Sequence, residues 1–97
     1  MSHTSIGICT LQFYLPGISS LKEKRRIIKS MLTKAGKRFN ASTAEVGYHD
    51  KWQSSEIAIV TVSNSAVYTN KTLQNIIEWI EETYPDAMIT HQDIEII

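Results

Sequence analysis

Residues 5 to 14 place Cys9, Leu11 and Phe13 on one side and Thr10 and Gln12 on the other, a period of two that predicts a strand. Leu15-Pro16-Gly17 then breaks the pattern, and Ser20 with Glu23 forms a capping box that opens a helix: the serine hydroxyl accepts from a first-turn N–H and the glutamate reaches back to the cap N–H. Leu21, Ile28, Leu32, Ala35 and Phe39 recur at helical spacing as one apolar stripe, with Ile27 and Met31 beside it. Residues 41 to 49 alternate again, Ala44, Val46 and Tyr48 against Thr43, Glu45 and His49, and a polar connector from Asp50 to Gln53 predicts a hairpin.

Ile57 to Val62 is an unbroken β-forming run that suits a central strand. Ser63-Asn64-Ser65 offers caps for a second helix, whose stripe of Leu73, Ile76, Ile77, Ile80 and Tyr84 runs until Pro85. In the last strand, residues 87 to 97, Met88, Ile94 and Ile96 share one parity while Ile89 and Ile97 share the other, which predicts a bulge.

The order βαββαβ, with two right-handed crossovers around a hairpin, gives a ferredoxin-like α/β (α+β) sandwich: a four-stranded antiparallel sheet of order 4-1-3-2 with both helices on one face. The 97 residues, 42% of them hydrophobic, suit a single domain over 1–97 with one core. The sheet face opposite the helices carries Ile6, Ile8, Thr10 and Gln12. It is only half polar and is a candidate surface for a homodimer or other partner.

Charge changes the picture more than composition does. Net charge is zero, yet eight of the ten basic residues fall between Leu21 and Arg38 with Glu23 as the only acid, leaving two basic and nine acidic residues in 40–97. The chain is a charge dipole of +7 (eight minus one) against −7 (two minus nine), which steers polyanions to one side without coating the whole surface. At 100° per residue Lys22, Arg26, Lys29, Thr33 and Lys37 share a sector away from the apolar stripe, while Lys24 and Arg25 flank the core on opposite sides. A ridge of this pitch suits successive phosphates. Its competitor is a solvated helix face whose charges pair with Glu78, Glu81 and Glu82 of the second helix.

These blocks also carry a family resemblance. Leu15-Pro16-Gly17, Ser20-Leu21-Lys22-Glu23-Lys24-Arg25-Arg26, Arg38-Phe39-Asn40 with Ser42, Ala44, Glu45 and Val46, Asp50-Lys51-Trp52-Gln53, and Val62-Ser63-Asn64 together resemble the YlxP-like family of small bacterial proteins, over nearly the whole chain. The resemblance implies a ferredoxin-like fold and a bacterial cytosolic protein whose gene commonly lies beside those of a translation initiation factor and a ribosome-binding factor. The match departs at Ser54, where many relatives carry a basic residue, so the hairpin is a weaker phosphate contact here.

The hairpin nevertheless gathers His49, Asp50, Trp52 and Gln53. In one reading Trp52 stacks on a base and Gln53 bonds to its edge; in the plainer one Asp50 holds a turn and Trp52 folds over the core edge. Adjacent His49 and Asp50 point to opposite faces and make a poor acid–base pair. His3 and His91 lack metal-ligand spacing, and Cys9 in an apolar strand reads as a buried reduced thiol, so no metal and no cofactor are expected. Without a nucleophile–base pair, a carboxylate pair or a phosphate loop, the expectation is a protein that is not an enzyme. With neither an export signal nor the roughly 20 apolar residues of a membrane span, it is expected to be cytoplasmic, with no membrane partner.

The leading expectation is an RNA- or ribosome-associated accessory factor in translation, with Lys22, Arg25, Arg26, Lys29 and Lys37 on phosphates and His49, Trp52 and Gln53 as base or partner contacts. The alternative is an interaction or oligomerisation module working through the open sheet face. Whether ridge and hairpin act together depends on whether they share one edge of the sheet.

Overall fold

The computed structural model describes residues 3–97. The elements are β1 (Ser5–Tyr14), α1 (Leu21–Phe39), β2 (Ser42–Gly47), β3 (Ser54–Ser63), α2 (Ala66–Thr83) and β4 (Met88–Ile96). All strand pairs are antiparallel and the sheet order is β2-β3-β1-β4, the expected order read from the other edge. Among the described residues no helix is long and apolar enough to cross a membrane.

The core lies between one sheet face and the two helices. Cys9, Leu11 and Phe13 of β1 and Ile57 and Ile59 of β3 meet Leu73, Ile76, Ile77 and Ile80 of α2 and Ile28, Met31 and Ala35 of α1. The predicted stripe of α2 is therefore the observed one. Ser65 caps this helix by accepting from the Tyr68 N–H at 3.2 Å, and Pro85 follows its end. The expected β4 bulge is present: Gln12 pairs with His91 but Phe13 pairs with Ile89, leaving Thr90 as the extra residue. Its effect is to bring Ile89, Ile94 and Ile96 to the same core face despite their mixed parity.

One local detail differs from expectation. At the start of α1, Ser20 Oγ accepts from Glu23 N at 3.1 Å, but the Glu23 carboxylate takes its bonds from Ser19, the hydroxyl at 3.1 Å and the N–H at 3.5 Å, instead of from the cap N–H. In β2 it is Thr43 and Glu45 that turn toward α1, whereas Ala44 and Val46 look out on the open face. Apolar residues of an edge strand face solvent here because the helix-facing side is built for a polar cluster.

Cys9 is fully buried, and burial, with a smaller contribution from the negative charge of Asp93, pushes its thiol from 9.0 up to about 11. Because the folded value is the higher one, this thiol contributes stability that is complete below pH 9.0 and is lost as pH rises toward 11. A thiol reagent at pH 8 is expected to label native protein only as fast as the fold opens, and at once in denaturant. Rapid native labelling would show an accessible thiolate instead.

Candidate nucleic-acid interface

Lys24, in the second turn of α1, is completely buried. Its position follows from spacing, since Lys24, Ile28, Met31 and Ala35 form the line that α1 turns into the molecule. The ammonium donates to Tyr48 O at 2.7 Å and Ser54 O at 3.0 Å, and pairs with Glu45 Oε2 at 3.1 Å. Three donors thus meet three acceptors, and the cation is buried with none of its protons unpartnered. Glu45 Oε2 also accepts from Ser55 Oγ at 2.6 Å. Sequence reasoning placed Lys24 at the flank of the core; a charged residue at the i, i+4, i+7 spacing of Ile28 and Met31, with Glu45 off the apolar parity of β2, was the available signal.

This cluster fastens α1 to both ends of the connector between β2 and β3. The chain leaves β2 through a bulge at Val46, passes Gly47, where an added Cβ would sit 2.8 Å from Glu56 Oε1, and turns at Tyr48 with a left-handed φ of 60°. Lys51 N donates to Tyr48 O at 3.0 Å, so the turn is closed by Tyr48 and Lys51, with Asp50 within it. Gln53 is committed to the loop before α1: its side-chain amide donates to Pro16 O and Ile18 O, both at 3.3 Å, and its carbonyl accepts from Leu15 N at 2.9 Å. His49 Nε2 lies 3.1 Å from Glu45 O. Trp52, in contrast, is 51% exposed, so the reading that folded it over the core edge does not hold.

The ridge residues Lys22, Arg25, Arg26, Lys29 and Lys37 are all exposed. Among the described residues the single ion pair within 4.0 Å is Lys24–Glu45, and Glu78, Glu81 and Glu82 of α2 neutralise none of the ridge. Between α1 and β2 runs a groove of about 420 Å³ lined in part by Arg25, Lys29, Thr33 and Thr43, with Glu45, the ion-pair partner of Lys24, as its one carboxylate. Arg25 and Lys29 of the ridge therefore lie at the β2 edge, and Lys24 ties the same helix to the connector.

Elsewhere, Ile6, Ile8, Thr10 and Gln12 stand on the open face as expected, in a row with Ala58, Val60 and Val62 of β3. Gln12 Nε2 donates to Glu56 Oε2 at 2.9 Å, and Asp93 and Glu95 of β4 lie opposite Thr10 and Ile8 in register. A cleft of about 580 Å³ at the hairpin end of the molecule is lined by Leu15, Ile18, Ile27, Tyr84, Ala87 and Met88 among others, with Glu23 and Asp86 as its charged residues. Its two carboxylates make it unsuited to a polyanion.

The family model described as "Protein of unknown function (DUF503)" matches residues 6–94. The "Uncharacterized protein YlxP" of Bacillus subtilis (strain 168) is 38% identical over 81 residues, which cover 84% of this chain and 87% of the relative. Two de novo designed proteins share the fold alone. LFR1 1, a design with ferredoxin fold, gives a TM-score of 0.59 at 16% identity, covering 98% of this chain and 86% of the design. Foldit4 gives 0.58 at 9% identity, covering 98% and 97%.

Proposed function

This chain belongs to the YlxP-like DUF503 family of proteins of unknown function, and we propose that it is a non-catalytic RNA- or ribosome-binding accessory factor of bacterial translation. One observation carries the reading: Lys22, Arg25, Arg26, Lys29 and Lys37 stand exposed along one helix, and among the described residues no carboxylate lies within 4.0 Å of their charged groups. Unpaired cations at helical pitch attract a phosphate backbone, whose condensed counterions are released on binding. The acidic residues outside α1 keep the rest of the surface from binding polyanions indiscriminately.

The test is co-sedimentation with ribosomal subunits and bulk RNA at two salt concentrations, wild type against the triple variant Lys22→Glu, Arg26→Glu, Lys29→Glu. The wild type is expected to bind saturably, with a log–log salt slope of roughly −3 for about four neutralised phosphates. The variant is expected to lose tenfold or more in affinity with an unchanged circular dichroism spectrum. Binding that the reversal leaves intact would remove the ridge from the interface, and a folded wild type that does not co-sediment would direct attention to the open sheet face.

A further inference from the structure

The connector from Tyr48 to Gln53 is held by its backbone carbonyls and by Gln53, whereas its aromatic rings are not committed to the fold. Gln53 is spent on Pro16 and Ile18, His49 meets Glu45 O, and the Tyr48 and Ser54 carbonyls hold Lys24. The side chains of Tyr48, Asp50, Lys51 and Trp52 face outward, and among the described residues none of them has a hydrogen-bond or ion-pair partner. The protein thus holds a large ring half in solvent on a connector pinned at both ends, immediately beside a basic helix.

The distribution of the other rings points the same way. Phe13, Phe39, Trp79 and Tyr84 belong to the core or pack on it, and Phe39, Trp79 and Tyr84 are linked edge to face at 5.9 Å. Four rings are exposed: Tyr14, Tyr48, Trp52 and Tyr68. Three of these four gather at one end of the sheet, since Tyr14 pairs in register with Ser54, directly after the connector that carries Tyr48 and Trp52.

Resting on the phosphate-binding reading of α1, we infer that Trp52 is a base-stacking platform and that the ligand of this edge is unpaired RNA. The cations Lys22, Arg25, Arg26 and Lys51 favour a nucleic acid over an apolar peptide, against a single carboxylate in the connector, Asp50. Duplex RNA keeps its bases stacked inside and offers an indole no free face, whereas a single strand splays a base onto it while its backbone follows the helix. Because Lys24 and Gln53 hold the connector in place, its backbone is preorganised and binding has little chain motion left to freeze beyond the ring's own torsions.

Fluorescence anisotropy with a labelled, unstructured RNA oligonucleotide and the blunt duplex of equal length tests this, using wild type, Trp52→Ala, Trp52→Phe and the triple charge reversal. The expected result is single-strand binding at least tenfold tighter than duplex binding, with quenching of wild-type indole fluorescence that is lost in Trp52→Phe, where only the packed Trp79 emits. Trp52→Ala is expected to lose on the order of tenfold for the single strand, the scale of one stacked base, with its salt slope unchanged, and Trp52→Phe to recover most of it. Equal affinity for both RNAs that Trp52→Ala leaves untouched, but that the charge reversal abolishes, would overturn the stacking site and leave the ridge standing. Absence of binding by folded wild type to either RNA would overturn both.

Discussion

Lys24→Ala is expected to destabilise the fold by about 3–5 kcal/mol, the scale of a buried ion pair broken from one side. Marginal stability makes that a large fraction of the whole, since domains of this size hold about 5–15 kcal/mol. The loss has three sources on one atom: Glu45 keeps Ser55 but loses its counter-ion, the Ser54 carbonyl loses the ammonium, and the Tyr48 carbonyl keeps only the Lys51 N–H. Denaturant unfolding followed by circular dichroism measures it. A second variant separates charge from geometry. Lys24→Met with Glu45→Leu removes both ions and restores apolar volume, and should recover part of the loss while the Tyr48 and Ser54 carbonyls still lack the ammonium donor. The connector should also loosen, so tryptic cleavage after Lys51 is expected to accelerate in Lys24→Ala more than in a core variant of equal stability. An unfolding midpoint equal to wild type would show that the cluster contributes no stability.

Gly7→Val is expected to cost about 3 kcal/mol and Gly7→Ala less, from overpacking beneath α2. Gly7 lies on the core side of β1, and a Cβ built there would fall 2.8 Å from Leu73 Cδ1 and closer still to Thr69 Cγ2. Neither neighbour can retreat easily. Leu73 is fully enclosed, and Thr69, equally buried, is held by a 2.6 Å hydrogen bond with Ser63 Oγ. The added side chain must therefore push α2 away from the sheet, separating Leu73 and Ile76 from Cys9 and Leu11. Valine ordinarily favours strands, so the sign of the result is informative. A lower unfolding midpoint with an unchanged denaturant slope supports close approach of helix to strand, whereas a stabilised variant would mean that α2 sits further out.

Both sites bear on what could be read before the structure. The alternation of β1, the Ser20 and Ser65 caps and the Leu73–Ile80 stripe are local, because each needs only neighbours within a turn or a pleat. The β4 bulge was legible too, as a parity conflict that only one extra residue resolves. Lys24 was not, because the rule that sends lysine to the surface gives way when three acceptors from other elements converge on one ammonium. Gln53 looked free to contact a ligand, yet its partners are Pro16 and Ile18, more than thirty residues away in sequence. The exposure of Trp52 is equally non-local, depending on Lys24 and Gln53 holding the connector out.

By itself, then, the sequence determined the order and type of the elements, the ferredoxin-like topology and the concentration of positive charge on one helix. Hydrophobic period, caps and charge count are properties of short windows, and strong windows leave few topologies. The tertiary structure alone decided that a lysine would be core, that β2 would turn Glu45 inward and Ala44 and Val46 outward, that α2 carboxylates would leave the ridge unpaired, and that the basic helix would be tied to the aromatic connector through Lys24. Those outcomes depend on which groups from distant segments meet within a hydrogen bond's length, and only the packed chain fixes such distances.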